Sequence, residues 1–496
     1  LEAMKVSIKA VKERTNSLAE VAIGYTSDIL DPSNTKYNLQ YYVDMAKRIE
    51  DEGAHILAIK DMAGLLTPYA AEKLIPALKQ SIDMPIHLHT HDTSSVQSAT
   101  YLKAIEQGID VIDCALASVS GLTSQPNFNS MVSVLAQHDR KPAIDLKALN
   151  EQSNYWEDVR EFYYPFESGL KAGTAQVYEN EIPGGQYSNL KPQAAAVGLI
   201  GQDFERVKKN YTVVNKLFGD IVKVTPSSKV VGDMAIFMTS NNLTAEDVLD
   251  ESKNLAFPNS VVGFFRGDLG QPEGGFPKKL QKIVLKDIKP FKGRPNEHLA
   301  PIDFDKEFEE FQKKYTEYAD FLDFLSFKLY PKVFEDYYEH HTEYGYVSQI
   351  PTKAFFYGME KGEEILVTLA KGKTIMVKLM YILEPDEHGM CIVGFELNGQ
   401  TRRVQVKNTH IKAAKSANIK ANPTDENQIG APLQGKLSTV SVKVGDVIEE
   451  NTPLFAIEAM KMESTISSPK AGKVKLIHIQ AGEMVDQDDL IIELED

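Results

Sequence analysis

The sequence predicts an α/β fold in its first third, then a mainly helical region, a small antiparallel β unit and a C-terminal all-β sandwich. Three observations carry this. Short apolar runs alternate with amphipathic stretches over residues 1–145. The last 65 or so residues contain an internal repeat at a constant offset of 37. Between them the apolar pattern changes period twice, from helical spacing to strand alternation near 354 and to almost nothing apolar after 411.

At 496 residues the chain exceeds one ordinary core, and about three domains are expected. A composition of 43% hydrophobic and 25% charged residues is that of a globular protein. The formal net charge of −16 argues against nucleic acid or an anionic membrane as partner, because both demand basic surfaces. Two cysteines, Cys114 and Cys391, provide no disulfide framework, so a reducing, cytoplasmic setting is expected. No run of about 18 apolar residues predicts a membrane span. The opening LEAMKVSIKAVKERT has neither an initiator Met nor the apolar core of a secretory signal. It reads as a helix entered partway, and a fragment of a longer chain is expected.

The apolar runs EVAIGYTS (20–27), HILAIKD (55–61), MPIHLHTH (84–91) and DVIDCAL (110–116) recur at roughly 30-residue spacing with helix-like segments between. That pattern means βα units and a parallel sheet. Four strands leave either a small open sheet or the C-terminal half of a barrel that needs eight. Residues 146–345 read as mainly helical, with IDFDKEFEEFQKKYTEYADFLDFLSFKLY (302–330) long, aromatic and amphipathic. Residues 346–410 hold alternating strands, and 411–428 read as a flexible linker. A flexible stretch of about 20 residues averages roughly 25 Å end to end and reaches about 65 Å.

The tethered segment 429–496 repeats itself: APLQGK recurs as SPKAGK, VKVGDVI as IQAGEMV and PLFAIE as LIIELE. Neither half could bury its apolar face alone, so a quasi-two-fold sandwich is expected. At the junction stands IEAMKMES, with Lys461 between Met460 and Met462. A solvated turn lysine needs no such neighbours.

In the α/β region three histidines share one strand face in PIHLHTHD. Alternate residues of a strand lie about 7 Å apart, so one metal ion does not readily take all three. Active sites lie at the C-terminal ends of barrel strands, which favours His89 and His91 as ligands with His87 one layer deeper. Lys60 ends the preceding strand and falls near His89 if the strands are adjacent. A cationic lysine is a poor ligand, but a neutral amine can take up CO₂ to give a carbamate with ligand oxygens. A Lys60–Asp61 surface pair is an equal alternative.

The segment 429–496 resembles the biotinyl carrier family, whose modified lysine lies in (E)AMKM, here Glu458 to Met462. The resemblance implies covalent biotin on Lys461 and a biotin protein ligase as partner. KDMAGLLTP, HLHTHDTS, ASVSGLTSQPN, YENEIPGGQYSNL and KVTPSSKVVGDMA resemble the carboxyltransferase domain of the pyruvate carboxylases, as does the whole layout. That resemblance implies the C-terminal half of a TIM-type (β/α)8 barrel, a helical funnel, a tetramerisation unit and a homotetramer. It implies an ATP-dependent parent enzyme that carboxylates pyruvate to oxaloacetate, serving anaplerosis and gluconeogenesis. The metal, Zn²⁺ or Mn²⁺ by its ligand types, would be held by carbamylated Lys60, His89 and His91. A further aspartate, the pyruvate-contacting Arg and Gln, and the biotin carboxylase domain would lie upstream. Thr225 would relay a proton, with Ser228 and Lys229 near the biotin; a helix N-cap is the bland reading of TPSSK. Two alternatives stand beside this one: the α subunit of an oxaloacetate decarboxylase, and a carrier or assembly fragment inactive alone.

Overall fold

The computed structural model describes residues 2–167, 170–316, 320–386, 389–408, 418–422, 425–459 and 462–495. Strands β1 (Glu20–Tyr25), β2 (Ile56–Asp61), β3 (Ile86–Thr90) and β4 (Val111–Ile112) form a parallel sheet in sequential order. The helices α1 (Glu2–Arg14), α2 (Leu39–Asp51), α3 (Pro68–Lys79) and α4 (Gln97–Glu106) flank and connect them. Local chemistry sets their starts: Asn38 caps α2 by accepting from the Tyr41 N–H, and Thr67 caps α3 ahead of Pro68. Tyr42, Ala46 and Ile49 of α2 and Leu74, Ile75 and Leu78 of α3 are buried in one cluster with Leu57 and Ile59 of β2 and Ile86 and Leu88 of β3. Alternation therefore turns His87 and His89, both half-buried, to the other face.

A second core joins the helices Gly184–Ala196, Gln202–Leu217, Ser227–Ser240, Asn259–Arg266 and Lys278–Leu285. Tyr211, Phe218 and Phe265 are fully buried there, with Phe218 stacked on Phe264 at 5.3 Å.

The chain divides into two compact units, Leu1–His298 with Ile419–Asp496, and Leu299–Asn418. The sequence groups residues 302–345 with the helices before them; the fold breaks at 298 instead. The reason is aromatic. Helices Phe304–Lys314, Phe321–Leu329 and Pro331–Tyr344 close on their own cluster of Phe311, Tyr315, Phe324 and Phe334. The same unit holds the antiparallel sheet β5 (Glu364–Ala370), β6 (Lys373–Ile382), β7 (Met390–Leu397) and β8 (Gln400–Lys407), in that order.

The C-terminal segment is a sandwich of two four-stranded sheets. One has the order β13-β12-β10-β15, the other β11-β14-β16-β9. Their spans are β9 (Gln428–Gly430), β10 (Gly435–Val440), β11 (Val447–Ile448), β12 (Pro453–Ala459), β13 (Met462–Ser467), β14 (Gly472–Ile477), β15 (Met484–Val485) and β16 (Leu490–Glu495). The 37-residue offset extends from residues to hydrogen-bonded geometry. β10 pairs with β12 through a bulge at Leu437/Thr439, and β14 with β16 through one at Val474/Leu476. Phe455 pairs with Ile466 as Ile492 pairs with Ile429. Part of the expected linker is pinned to this sandwich: Lys420 bridges to Asp489 at 2.8 Å, and Ala421 N–H donates to Asp488 O. Residues 411–417, the heart of that linker, lie outside the described residues.

Replacing Phe324, 1% exposed among Phe304, Phe308, Phe311 and Phe321, by alanine is expected to cost about 3–5 kcal/mol. Hydrogen exchange will show faster opening across 304–344, with residues 20–112 unchanged.

Candidate functional site

The parallel register aligns Gly24, Lys60 and His89 at one level of β1, β2 and β3. His91 follows directly on β3, and release from strand geometry lets its ring turn back. The Nε2 atoms of His89 and His91 come within 3.4 Å, where two residues held on one strand would stand about 7 Å apart. Each ring is fixed from behind. His89 Nδ1 meets Asp113 Oδ2 at 2.7 Å, and His91 Nδ1 meets the Thr123 carbonyl at 2.7 Å. A carbonyl and a carboxylate only accept, so both Nδ1 atoms carry the proton and both Nε2 atoms are left with lone pairs.

Two lone pairs facing at that distance repel unless an electropositive centre sits with them. The donor set therefore fits a divalent metal, with the outer bonds that metal-binding histidines use. Among the described residues no three His, Cys, Asp or Glu side chains gather as a ligand set. Half-buried Lys60 occupies the adjoining register position.

His87 is used differently. Its Nδ1 lies 3.1 Å from Glu20 Oε1 and its Nε2 2.9 Å from Asp113 Oδ1, so Asp113 joins the two histidines of β3. Burial pushes the Asp113 carboxyl up, but the bonds from His89 and His87 outweigh it and hold the group below the usual range. Burial, helped by His89 and Lys60, lowers the His91 pKa despite its bond to Thr123. The Lys60–Asp61 surface pair is not formed. Asp61 is fully buried and accepts from the N–H groups of Gly64, Leu65 and Leu66 and from the Thr90 hydroxyl.

Two segments from the helical core close over these strand ends. In EIPGG, Gly184 N–H donates to Met62 O at 2.9 Å. A Cβ at Gly184 would stand 2.8 Å from His91 Nδ1, so the ring requires glycine there. Immediately before KVTPSSK, Val222 packs so closely on Gly24 that a Cβ there would meet it at 2.6 Å. Thr225 is exposed just before the helix Ser227–Ser240. The N-cap position is Pro226 and has no side-chain cap; Ser227 Oγ instead donates to Val222 O and Val224 O at 2.6 Å. Ser228 is 2% exposed, on the inward side of that helix. Lys229 donates to Asp233 Oδ2 at 2.7 Å, and Ser260 shares that oxygen.

Lys229 and Asp233 also line a cleft of about 750 Å³ against Leu433, Asn451 and Ile466 of the sandwich. Asn451 there donates to Lys253 O at 3.1 Å. Lys461 and Met460 lie outside the described residues, between Ala459 and Met462, which pair with each other.

Comparison with known proteins places this arrangement. The family descriptions "HMGL-like" (residues 2–155), "Conserved carboxylase domain" (177–378) and "Biotin-requiring enzyme" (427–494) match along the chain. The carboxyl transferase domain of Rhizobium etli pyruvate carboxylase superposes with a TM-score of 0.78 at 46% identity, over 82% of this chain and 68% of that one. The chain belongs to the pyruvate carboxylase family. Within the family, the Bacillus subtilis pyruvate carboxylase is 47% identical over 495 residues, covering all of this chain and 43% of that protein. The human mitochondrial pyruvate carboxylase is 40% identical over 481 residues, covering 41% of its length. The complete Rhizobium etli enzyme matches at TM-score 0.78 over 99% of this chain and 45% of its own. The chain thus spans less than half the length of the curated family members it matches.

Sequence reasoning missed Asp113, Thr123 and Gly184. A signal for Asp113 was present, because DVIDCAL puts it two residues beyond Val111, the register partner of His87. The Thr123 carbonyl and the bare Cα of Gly184 leave no mark in a single sequence.

In the metal-free protein, the His91 imidazole is expected to titrate below 6.5, read from its ring nitrogens by NMR. The folded state favours the neutral ring, so this stabilisation is complete above pH 6.5 and is lost as pH falls through 6.5 towards the lower folded midpoint.

Proposed function

We propose that this chain carries part of the carboxyltransferase site and the biotin arm of a pyruvate carboxylase, converting pyruvate to oxaloacetate. The observation that carries the reading is the pair of His89 and His91 Nε2 atoms 3.4 Å apart beside the register position of Lys60. The names of the relatives support it, and one solved family member is a carboxyl transferase domain with pyruvate and biocytin.

Lys60 as its carbamate, His89 and His91 would hold Mn²⁺ or Zn²⁺. When bound, such an ion supplies positive charge that stabilises a negatively charged enolate oxygen nearby. Asp113 and the Thr123 carbonyl keep both imidazoles in the tautomer that can ligate. Thr225 stands exposed beside the Val222–Gly24 contact and relays the proton. The methyl C–H bond of pyruvate and the N–CO₂ bond of carboxybiotin break, and the new C–C bond and the ureido N–H form. Of the three residues Thr225, Ser228 and Lys229, Thr225 presents its hydroxyl most openly, since Ser228 is buried and Lys229 is paired with Asp233. Lys461 carries the biotin, attached by a biotin protein ligase. Upstream residues complete the (β/α)8 barrel beside β1 and β4 and supply the further aspartate, the pyruvate-binding Arg and Gln, and the biotin carboxylase domain. Unit Leu299–Asn418 contributes to a homotetramer. No helix among the described residues is long and apolar enough to cross a membrane, and Cys114 and Cys391 are free, which suits a cytoplasmic setting.

The test is oxaloacetate formation from pyruvate and free carboxybiotin by a chain extended to the length of its relatives. Thr225→Ala is expected to lower kcat by about 10²–10⁴-fold. Intact mass from the native host should show biotin on Lys461. A lipoyl adduct, or full activity of Thr225→Ala, would overturn the corresponding assignment. Full activity of the unextended chain would show that no upstream part of the site is needed.

A further inference from the structure

Lys223 is a buried charge that the proposed chemistry leaves unused. It is 2% exposed, and its Nζ donates to Glu181 Oε2 at 2.7 Å. Burying a flexible, strongly hydrated ammonium is costly, and an aliphatic side chain would fill the site without that cost. The pair's location gives it a use. Lys223 stands two residues before Thr225, in the stretch that seats Val222 against Gly24 at the level of Lys60 and His89. Glu181 adopts a left-handed conformation, φ 54°, at the head of the loop whose Gly184 bonds Met62 and packs on the His91 ring. The bonds from Ser227 only tie this stretch to itself, over five residues at most. The Lys223–Glu181 pair spans 42 residues of sequence and ties the Thr225 segment to the loop that frames His91.

We infer that Lys223 and Glu181 are a positioning pair, setting the Thr225 hydroxyl in register with the His89–His91 centre. This rests on the proposed function, since Thr225 must be the proton relay. Neither residue touches the reacting atoms. Their effect is on the distance and direction over which the hydroxyl works, where an error near 1 Å costs about 10²-fold in rate.

A double-mutant cycle in the full-length biotinylated enzyme tests it, reading kcat and KM for oxaloacetate formation. Lys223→Met is expected to lower kcat by about 10- to 100-fold while KM for pyruvate stays within about twofold. Lys223→Arg should regain most of the loss. In a Thr225→Ala background, Lys223→Met should cost nothing further, because the group it places is gone. Losses that multiply in the double variant, or an unchanged kcat in Lys223→Met beside an impaired Thr225→Ala, would overturn the positioning role alone. Full activity in Thr225→Ala would instead overturn the relay itself, and the inference with it. If Lys223→Met does not fold, Glu181→Ala removes the same pairing from its more exposed side and enters the same cycle.

Discussion

The parallel register of β1, β2 and β3 is the constraint from which the candidate site follows. Once Gly24, Lys60 and His89 share a level, three consequences come without further tuning. An amine and an imidazole face the same space. The absent side chain at Gly24 leaves room for Val222, which draws the helical core's KVTP segment onto the sheet. And the end of β3 falls one residue before His91, which is then free to turn its ring back towards His89. A register slip of one residue would invert every side chain and dismantle all three.

The polar face of the sheet works as one chain of contacts from Glu20 through His87, Asp113 and His89 to His91 and the Thr123 carbonyl. Its acceptors sit at the outer ends and at Asp113, so protons are drawn to the outer nitrogens of His89 and His91. The inner nitrogens of those two rings then keep their lone pairs and lie close together. A strand supplies direction, but only a network of this kind supplies tautomer. The opposite face is apolar and held by helices, and Asp61 belongs to it, closing the loop after β2 with three backbone bonds.

The sandwich answers to another constraint, its internal symmetry. Strand pairings, bulges and even loop bonds repeat at the same offset, so that Ala431 N–H donates to Asp489 O as Ser468 N–H does to Thr452 O. The two halves are joined once in sequence, between β12 and β13, and Lys461 stands in that joint. The contact with the helix Ser227–Ser240 and the loop at Lys253 uses Asn451 and Ile466, towards the opposite end of those strands. Ile466 lies four residues along β13 from Met462, and Asn451 two residues ahead of β12.

Periodicity sufficed to read the βα units, the repeat and the histidine face, because each is a local pattern with a period that a strand or helix imposes. The position of Lys461 between the two copies is legible for the same reason: a repeat marks its own junction. The division at 298 was not, because helices 304–344 have the same amphipathic pattern whichever core they join, and only the aromatic cluster around Phe311 decides it. Nor were Asp113, Thr123, Gly184 and Lys223, whose roles depend on partners between 24 and 122 residues away in sequence. By itself the sequence determined which residue types could ligate, relay and carry. Tertiary structure alone decided which nitrogen of His89 and of His91 keeps its lone pair, that Asp61 turns inward, and that Thr225 is exposed while Ser228 is buried. Those are properties of burial and of hydrogen-bond partners, and neither exists until distant segments meet.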